Sequence, residues 1–169
     1  MTAQKSLFMR IGLATAAGAI CCGALLAIDL RDPAPKFRAK TLDGEEFTSE
    51  SLQGKVVLVQ FWATWCRYCR QDQDAVDVLV RDFSDKGLVI LAVNVGESKK
   101  KMKQYLDQSP RACKIVLMPD TNLAALYAAT TYPYYVLIDR AGKLVGEQHG
   151  AAGEAALRRL LAKAGLDSE

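Results

Sequence analysis

The chain has 169 residues, 50% of them hydrophobic, with 12 glycines, 5 prolines and 13 aromatic residues. That suits one domain plus a short appendage and excludes a disordered or fibrous protein. The net charge is +3, and without residues 1–28 the chain keeps 20 basic and 19 acidic residues, which gives no electrostatic ground for nucleic-acid binding.

Residues 11–28, IGLATAAGAICCGALLAI, form an uncharged run preceded by Lys5 and Arg10 and ended by Asp29. The run is just long enough to span a bilayer as a helix. It exceeds most signal-peptide hydrophobic regions and lacks a small-x-small cleavage site near its end. Residues 1–28 are therefore expected to be a retained signal-anchor that holds the chain in a lipid bilayer as a single-pass helix. A cleaved secretory peptide is the alternative. Cys21 and Cys22 within it read as small apolar residues. Arg31, Lys36, Arg38 and Lys40 follow the run, so charge bias leaves the orientation open. Residues 29–36 carry Pro33 and Pro35 and read as an extended linker; residues 37–169 form the folded domain.

Phe37 to Thr48 has Asp43-Gly44 between two short segments, a hairpin signal. Lys55 to Trp62 is an apolar, β-branched run and reads as a buried strand. Apolar residues at Val76, Leu79, Val80 and Phe83 predict an amphipathic helix from about Cys66 to Phe83. Leu88 to Val95 is a second buried strand, and Ser98 to Gln108 a helix stopped by Ser109-Pro110. Cys113 to Leu117 is a short segment of extended character. Asp120 or Thr121 caps a helix reaching about Thr130. Tyr134 to Asp139 and Lys143 to Gln148 form a hairpin, and Ala152 to Ala164 a last helix. The order predicts an α/β domain, a mixed sheet covered by helices on both faces.

The chemistry concentrates in VVLVQFWATWCRYC, Val56 to Cys69. A strand delivers Cys66 onto the start of a helix, where unpaired N–H groups and the helix dipole favour a thiolate. The thiolate is the attacking species in disulfide exchange. Arg67 places a cation beside it and adds to that effect. Trp62 and Trp65 are expected to pack around the dithiol, with Trp65 partly exposed to substrate. The five cysteines form no disulfide framework, and His149 is the single histidine, so no metal site is expected. Cys113 reads as a buried small hydrophobe, and His149 as a solvated residue past the last strand. Lys99 to Lys101 and Lys103 read as a solvated face, with anionic lipid or an acidic partner as the other reading.

The stretches APKFRAKTLDGEEFTSESLQGKVVLVQFWATWCRYC, VILAVNVGES and TYPYYVLIDRAGKLVG, with the closing amphipathic helix, resemble the TlpA/ResA/CcmG-like family over Ala34 to about Ala164. These are membrane-tethered thiol–disulfide oxidoreductases of the thioredoxin superfamily. The resemblance implies a thioredoxin fold with an N-terminal β-hairpin extension. It makes Cys66 the attacking and Cys69 the resolving cysteine, with Arg67 and Tyr68 between them as levers on redox potential. Pro133 matches the family's cis-proline opposite the dithiol, beside which the substrate chain pairs. Tyr132 is larger than the usual residue there. Asp72 stands where many relatives carry a glutamate that tunes the cysteines; the alternative is a solvated helix face. Asp74 replaces a helix-kinking proline, so a straighter first helix is expected. Gln60 takes the place of thioredoxin's buried aspartate and cannot accept a proton as that residue does.

The resemblance also implies that no metal or organic cofactor is used. Its partners would be protein disulfides or thiols, apocytochrome c among them, and a membrane electron-donor thiol protein. The domain would face the periplasm or the outside. Two rivals remain. A peroxiredoxin-like peroxide reductase shares the hairpin style, but its proline–threonine–cysteine loop is replaced here by FWATWC. A non-catalytic thioredoxin-like binding module would not need the intact Cys66/Cys69 pair.

Overall fold

A computed structural model of the chain describes residues 32–167. The expected anchor at 11–28 and the start of the linker lie outside the described residues. The elements are, in chain order, β1 (Arg38–Thr41), β2 (Glu46–Thr48), β3 (Val56–Trp62), α1 (Arg67–Gln71), α2 (Gln73–Phe83), β4 (Leu88–Asn94), α3 (Lys99–Gln108), β5 (Lys114–Thr121), α4 (Leu123–Leu126), β6 (Tyr134–Ile138), β7 (Leu144–His149) and α5 (Gly153–Ala162).

β3 is the centre of the sheet because all seven of its side chains are apolar or a single amide, and all are buried. A strand covered on both faces has no place for an alternating polar side. The strands lie in the order β2-β1-β5-β4-β3-β6-β7. β3 runs parallel to β4 with Gln60 opposite Ala92, and antiparallel to β6 with Gln60 opposite Tyr135. β4 runs parallel to β5, which pairs antiparallel with β1.

The even residues Val56, Leu58 and Trp62 pack against Val76, Leu79 and Phe83 of α2, Met102 of α3, and Leu157 and Leu161 of α5. The odd residues Val57, Val59 and Phe61 face Leu123, Tyr127, Phe37, Phe47 and Leu52. A one-residue slip of β3 would exchange the two sets, so the register is strongly specified. α2 and α3 share one face, as two successive crossovers in one direction must if they have the same hand. Truncating a fully buried leucine such as Leu79 costs about 2–5 kcal/mol.

Four expectations need correction. The helix after Cys66 is not one straight rod: α1 ends at Gln71 and α2 begins at Gln73, with Asp72 between them at φ −92°, ψ −2°. No proline causes the break. Asp72 turns its carboxylate inward to donors on β6 and α5, and its own N–H bonds back to Cys69 O at 3.3 Å, a tighter turn than an α-helix makes. The extended segment after Cys113 runs to Thr121: Lys114 to Leu117 pair with β4, and beyond them Thr121 pairs with Ala39 of β1 across a register shift. The helix after it is one turn only, Leu123–Leu126, followed by Ala128 at φ 45°. His149 is the last residue of β7 rather than past it, its ring stacked on Tyr134 at 4.3 Å, while its side chain stays solvated as expected.

The described part of the linker is held rather than free. Ala34 N–H donates to Gly142 O at 2.9 Å, and Leu144 N–H donates to Asp32 O at 3.1 Å. Leu144 lies opposite Ile138, which itself pairs with Val57 at the start of β3. The chain therefore enters at the end of the sheet away from Cys66.

Candidate active site

β3 ends at Trp62, and Ala63 to Trp65 carry the chain over the sheet's edge to Cys66. Cys66 is the N-cap of α1, extended at φ −79°, ψ 110°, and its Sγ accepts the Cys69 N–H at 3.1 Å. A sulfur thus does what a serine or aspartate oxygen does at most helix starts. Cys66 and Cys69 form a disulfide across a Cα–Cα distance of 5.2 Å. Cys66 keeps 7% of its surface exposed and Cys69 none, so an incoming sulfur can reach only the first.

The opposite wall is the segment before β6. The Tyr132–Pro133 bond is cis, as the family resemblance implies, and the carbonyl oxygen of Tyr132 lies 3.7 Å from Cys66 Sγ. Thr131 and Tyr132 make no main-chain hydrogen bond among the described residues. The Tyr132 ring meets the Trp65 ring edge-on at 6.2 Å, and its hydroxyl donates to Ala129 O at 3.0 Å. Trp65 is 62% and Tyr68 60% exposed, while Trp62 is fully buried. Arg67 points to solvent. Trp62 lies beneath the site between the Tyr105 ring and the Arg111 guanidinium, whose carbon is 5.2 Å from the indole centroid.

Asp72 is not on a solvated face: it is 1% exposed. Its Oδ2 accepts from Tyr135 Oη at 2.8 Å and Ala152 N–H at 2.9 Å, and its Oδ1 accepts from Gly153 N–H at 2.9 Å. Gln60 Nε2 donates to the same Tyr135 hydroxyl at 3.1 Å. A buried chain of polar groups therefore joins the centre of β3, β6, the turn under the dithiol and the start of α5. Burial and the neighbouring Asp72 push the Tyr135 hydroxyl far above the usual tyrosine range, so it stays a donor.

The sequence reading missed the group that fixes the loop carrying Trp65 and Cys66. Glu97, just past β4, has a side chain 1% exposed. It accepts from Thr64 N–H at 3.0 Å, the Thr64 hydroxyl, Asn94 Nδ2 at 2.6 Å and Lys101 Nζ at 3.0 Å. Burial alone would raise its carboxyl; the hydrogen bonds from Thr64, Asn94 and Lys101 outweigh that and hold it below 4.5. Arg70 completes the grip by donating to Thr64 O at 2.8 Å. The available sequence signal was a lone glutamate between a buried strand and a helix cap. Cys113 is a free buried thiol, pushed up to about 11 mainly by burial. No group of three or more potential metal ligands occurs among the described residues.

The chain has recognisable relatives. The AhpC/TSA family profile matches residues 30–146. The thiol-disulfide oxidoreductase ResA of Bacillus subtilis is 30% identical over 153 residues, 86% of each chain. The thioredoxin-like protein YneN of Bacillus subtilis is 37% identical over 112 residues, 64% of this chain and 65% of that protein, just under two thirds of its length. A solved structure, a thiol:disulfide interchange protein of the thioredoxin family from Chlorobium tepidum, superposes with a TM-score of 0.71. It is 27% identical, and the match covers 82% of this chain and 99% of that one. The fold is thioredoxin-like. With its paired Cys66 and Cys69 at the strand–helix junction, the chain belongs to the AhpC/TSA family and, within it, to the ResA-like thiol–disulfide oxidoreductases.

Proposed function

We propose that this oxidoreductase works as a membrane-tethered, extracytoplasmic reductant of protein disulfides, with apocytochrome c, reduced to its thiols, as one substrate. The observation that carries the exchange chemistry, with Cys66 as the attacking thiol, is the Cys69 N–H held 3.1 Å from Cys66 Sγ; the reducing direction rests on the family resemblance. A hydrogen bond to the charged form favours the thiolate. In the reduced protein, the Cys66 thiolate attacks one sulfur of a substrate disulfide. The Cys66–substrate bond forms, the substrate S–S bond breaks, and the other sulfur leaves as a thiolate. Cys69, deprotonated, then attacks Cys66 Sγ and releases the second substrate sulfur. The two electrons come from the dithiol, which a thiol donor at the membrane must restore.

The free main chain at Thr131 and Tyr132 supports this reading, since an extended substrate segment can pair there as an added strand. Gln60 offers no carboxylate, so the resolving proton leaves by another group or by water. The tether rests on residues 11–28 and their flanking charges. Among the described residues no helix is long and apolar enough to cross a membrane.

The test measures two reactions of the full chain. Reduction of insulin disulfides by a dithiol donor should be accelerated, and hydrogen peroxide should not be consumed above the rate of the donor alone. Peroxide turnover without disulfide reduction would establish the peroxidase reading instead. N-terminal sequencing of the membrane-bound protein should find residues 1–28 retained; a chain beginning near Asp29 would remove the anchor.

A further inference from the structure

We propose that the α3 side of the dithiol is a docking rim for the acidic flank of a partner protein, so that partners carrying Asp or Glu close to the target disulfide are preferred. The inference rests on the reductase reading above.

β3, β4 and β5 are parallel, so the segments that follow them lie at one end of the sheet. Cys66 follows β3, and α3 follows β4. The bonds from Thr64 to Glu97 tie the two together. Cys66 is two residues beyond Thr64, and Lys99 is two residues beyond Glu97. At ~3.6 Å per residue along each segment, the two lie within roughly 20 Å. An extended partner segment of about six residues covers that span.

The charge of this rim is positive and largely unspent. α3 opens with Lys99, Lys100 and Lys101 and has no acid in its first turn. Cations there oppose the helix dipole, so local helix stability does not explain them. Lys101 is paired with Glu97 at 3.0 Å. Lys99, Lys100 and Lys103 are exposed and have no ion-pair partner among the described residues. Arg67 and Arg70 are exposed beside Cys66; Arg70 bonds a neutral carbonyl, which leaves its charge uncompensated. Asp72 and Glu97, the acids nearest the dithiol, are buried and bonded. The exposed acids near this end include Asp74, Asp120 and Glu154, the last paired with Arg158 at 2.8 Å.

The apolar surface sits at the same place. Among the described residues the exposed large hydrophobics are Trp65, Tyr68 and Met118. Met118 follows Leu117, which pairs with the last residue of β4. An aromatic centre bordered by charge is the make-up of a protein interface. The charge complement selects an acidic partner, and it acts mainly on association rate. A lipid surface fits less well. The chain enters through Asp32 and Pro33 at the opposite end of the sheet, so a tether through the preceding residues holds this rim away from the bilayer.

The test uses the reduced full chain in nanodiscs of phosphatidylcholine. Three synthetic peptides carry one internal disulfide flanked within six residues by glutamates, glutamines or lysines. Reduction is followed by tryptophan fluorescence in stopped flow. At low salt the glutamate peptide should react about five- to tenfold faster than the glutamine peptide. That advantage should vanish near 0.5 M salt, on the order of a 4 Å screening length. The variant Lys99→Gln/Lys100→Gln/Lys103→Gln should lose most of the advantage and keep the glutamine-peptide rate. Equal rates for the glutamate and lysine peptides, or an unchanged advantage in the variant, would overturn the proposal. So would loss of the advantage on nanodiscs containing phosphatidylglycerol, which would place the lysines on lipid. If the glutamine peptide is not reduced at all, the reductase reading fails, and this inference with it.

Discussion

Asp72→Ala is the perturbation that most directly probes how the dithiol is supported. The carboxylate accepts from Tyr135 Oη, Ala152 N–H and Gly153 N–H, all at 2.8–2.9 Å. The Tyr135 side chain is fully buried, so a lost acceptor there costs about 1–3 kcal/mol. Ala152 and Gly153 are half-buried, and water recovers part of their loss, leaving about 1 kcal/mol each. The sum is about 3–5 kcal/mol, a large part of the ~5–15 kcal/mol that holds a domain together. With a urea slope of about 1.5–2 kcal/mol/M, the unfolding midpoint of the oxidised protein should fall by about 2 M with the slope unchanged. Tyr135→Phe should cost about 1–2 kcal/mol, because it strips Gln60 Nε2 of its acceptor as well. In the double variant the losses should fall short of additivity by about 1 kcal/mol, since both changes remove one shared bond. An Asp72→Ala loss below about 1 kcal/mol, or strict additivity, would refute the reasoning.

Three further outcomes follow from the same geometry. Glu97 is held below its ordinary 4.5, so it contributes stability above the unfolded value that is lost as pH falls through the folded one; urea midpoints of wild type and Glu97→Gln should therefore converge on acidification below about pH 4.5, and a constant gap would contradict this. Cys113, buried and pushed up to about 11, should resist iodoacetamide at neutral pH until the protein unfolds; labelling of folded protein as fast as at Cys66 would show that the thiol is accessible. Tyr132→Ala should slow exchange with a folded protein disulfide more than with a small disulfide reagent, because the ring and the free main chain beside it face the substrate side of Cys66; equal effects would mean that Tyr132 does not meet substrate.

What the sequence disclosed was local. The seven-residue run of β3 and the spacing of Cys66 and Cys69 place the dithiol without help from the rest of the chain, because a fully covered strand and a helix start leave marks within a few residues. What it hid depends on partners far along the chain. The break at Asp72 is set by Tyr135, 63 residues on, and by Ala152 and Gly153, 80 and 81 residues on. Glu97 holds Thr64 across 33 residues, and nothing within a few residues of it marks that bond. β5 outgrew its apolar core because Thr121 pairs with Ala39 of β1, across a register shift that spans the exposed Met118 to Asp120. Local propensity is a weak prior wherever such tertiary bonds decide.

The central claim is that Cys66, and not Cys69, makes the first bond to substrate. The full chain carrying Cys69→Ala should be reduced, mixed with the glutamine-flanked disulfide peptide, and the covalent adduct mapped by mass spectrometry. A stable mixed disulfide on Cys66 is predicted, with no adduct of comparable yield on Cys69 in the Cys66→Ala variant, because Cys69 has no exposed surface. An adduct that forms as readily on Cys69 as on Cys66 would contradict the account.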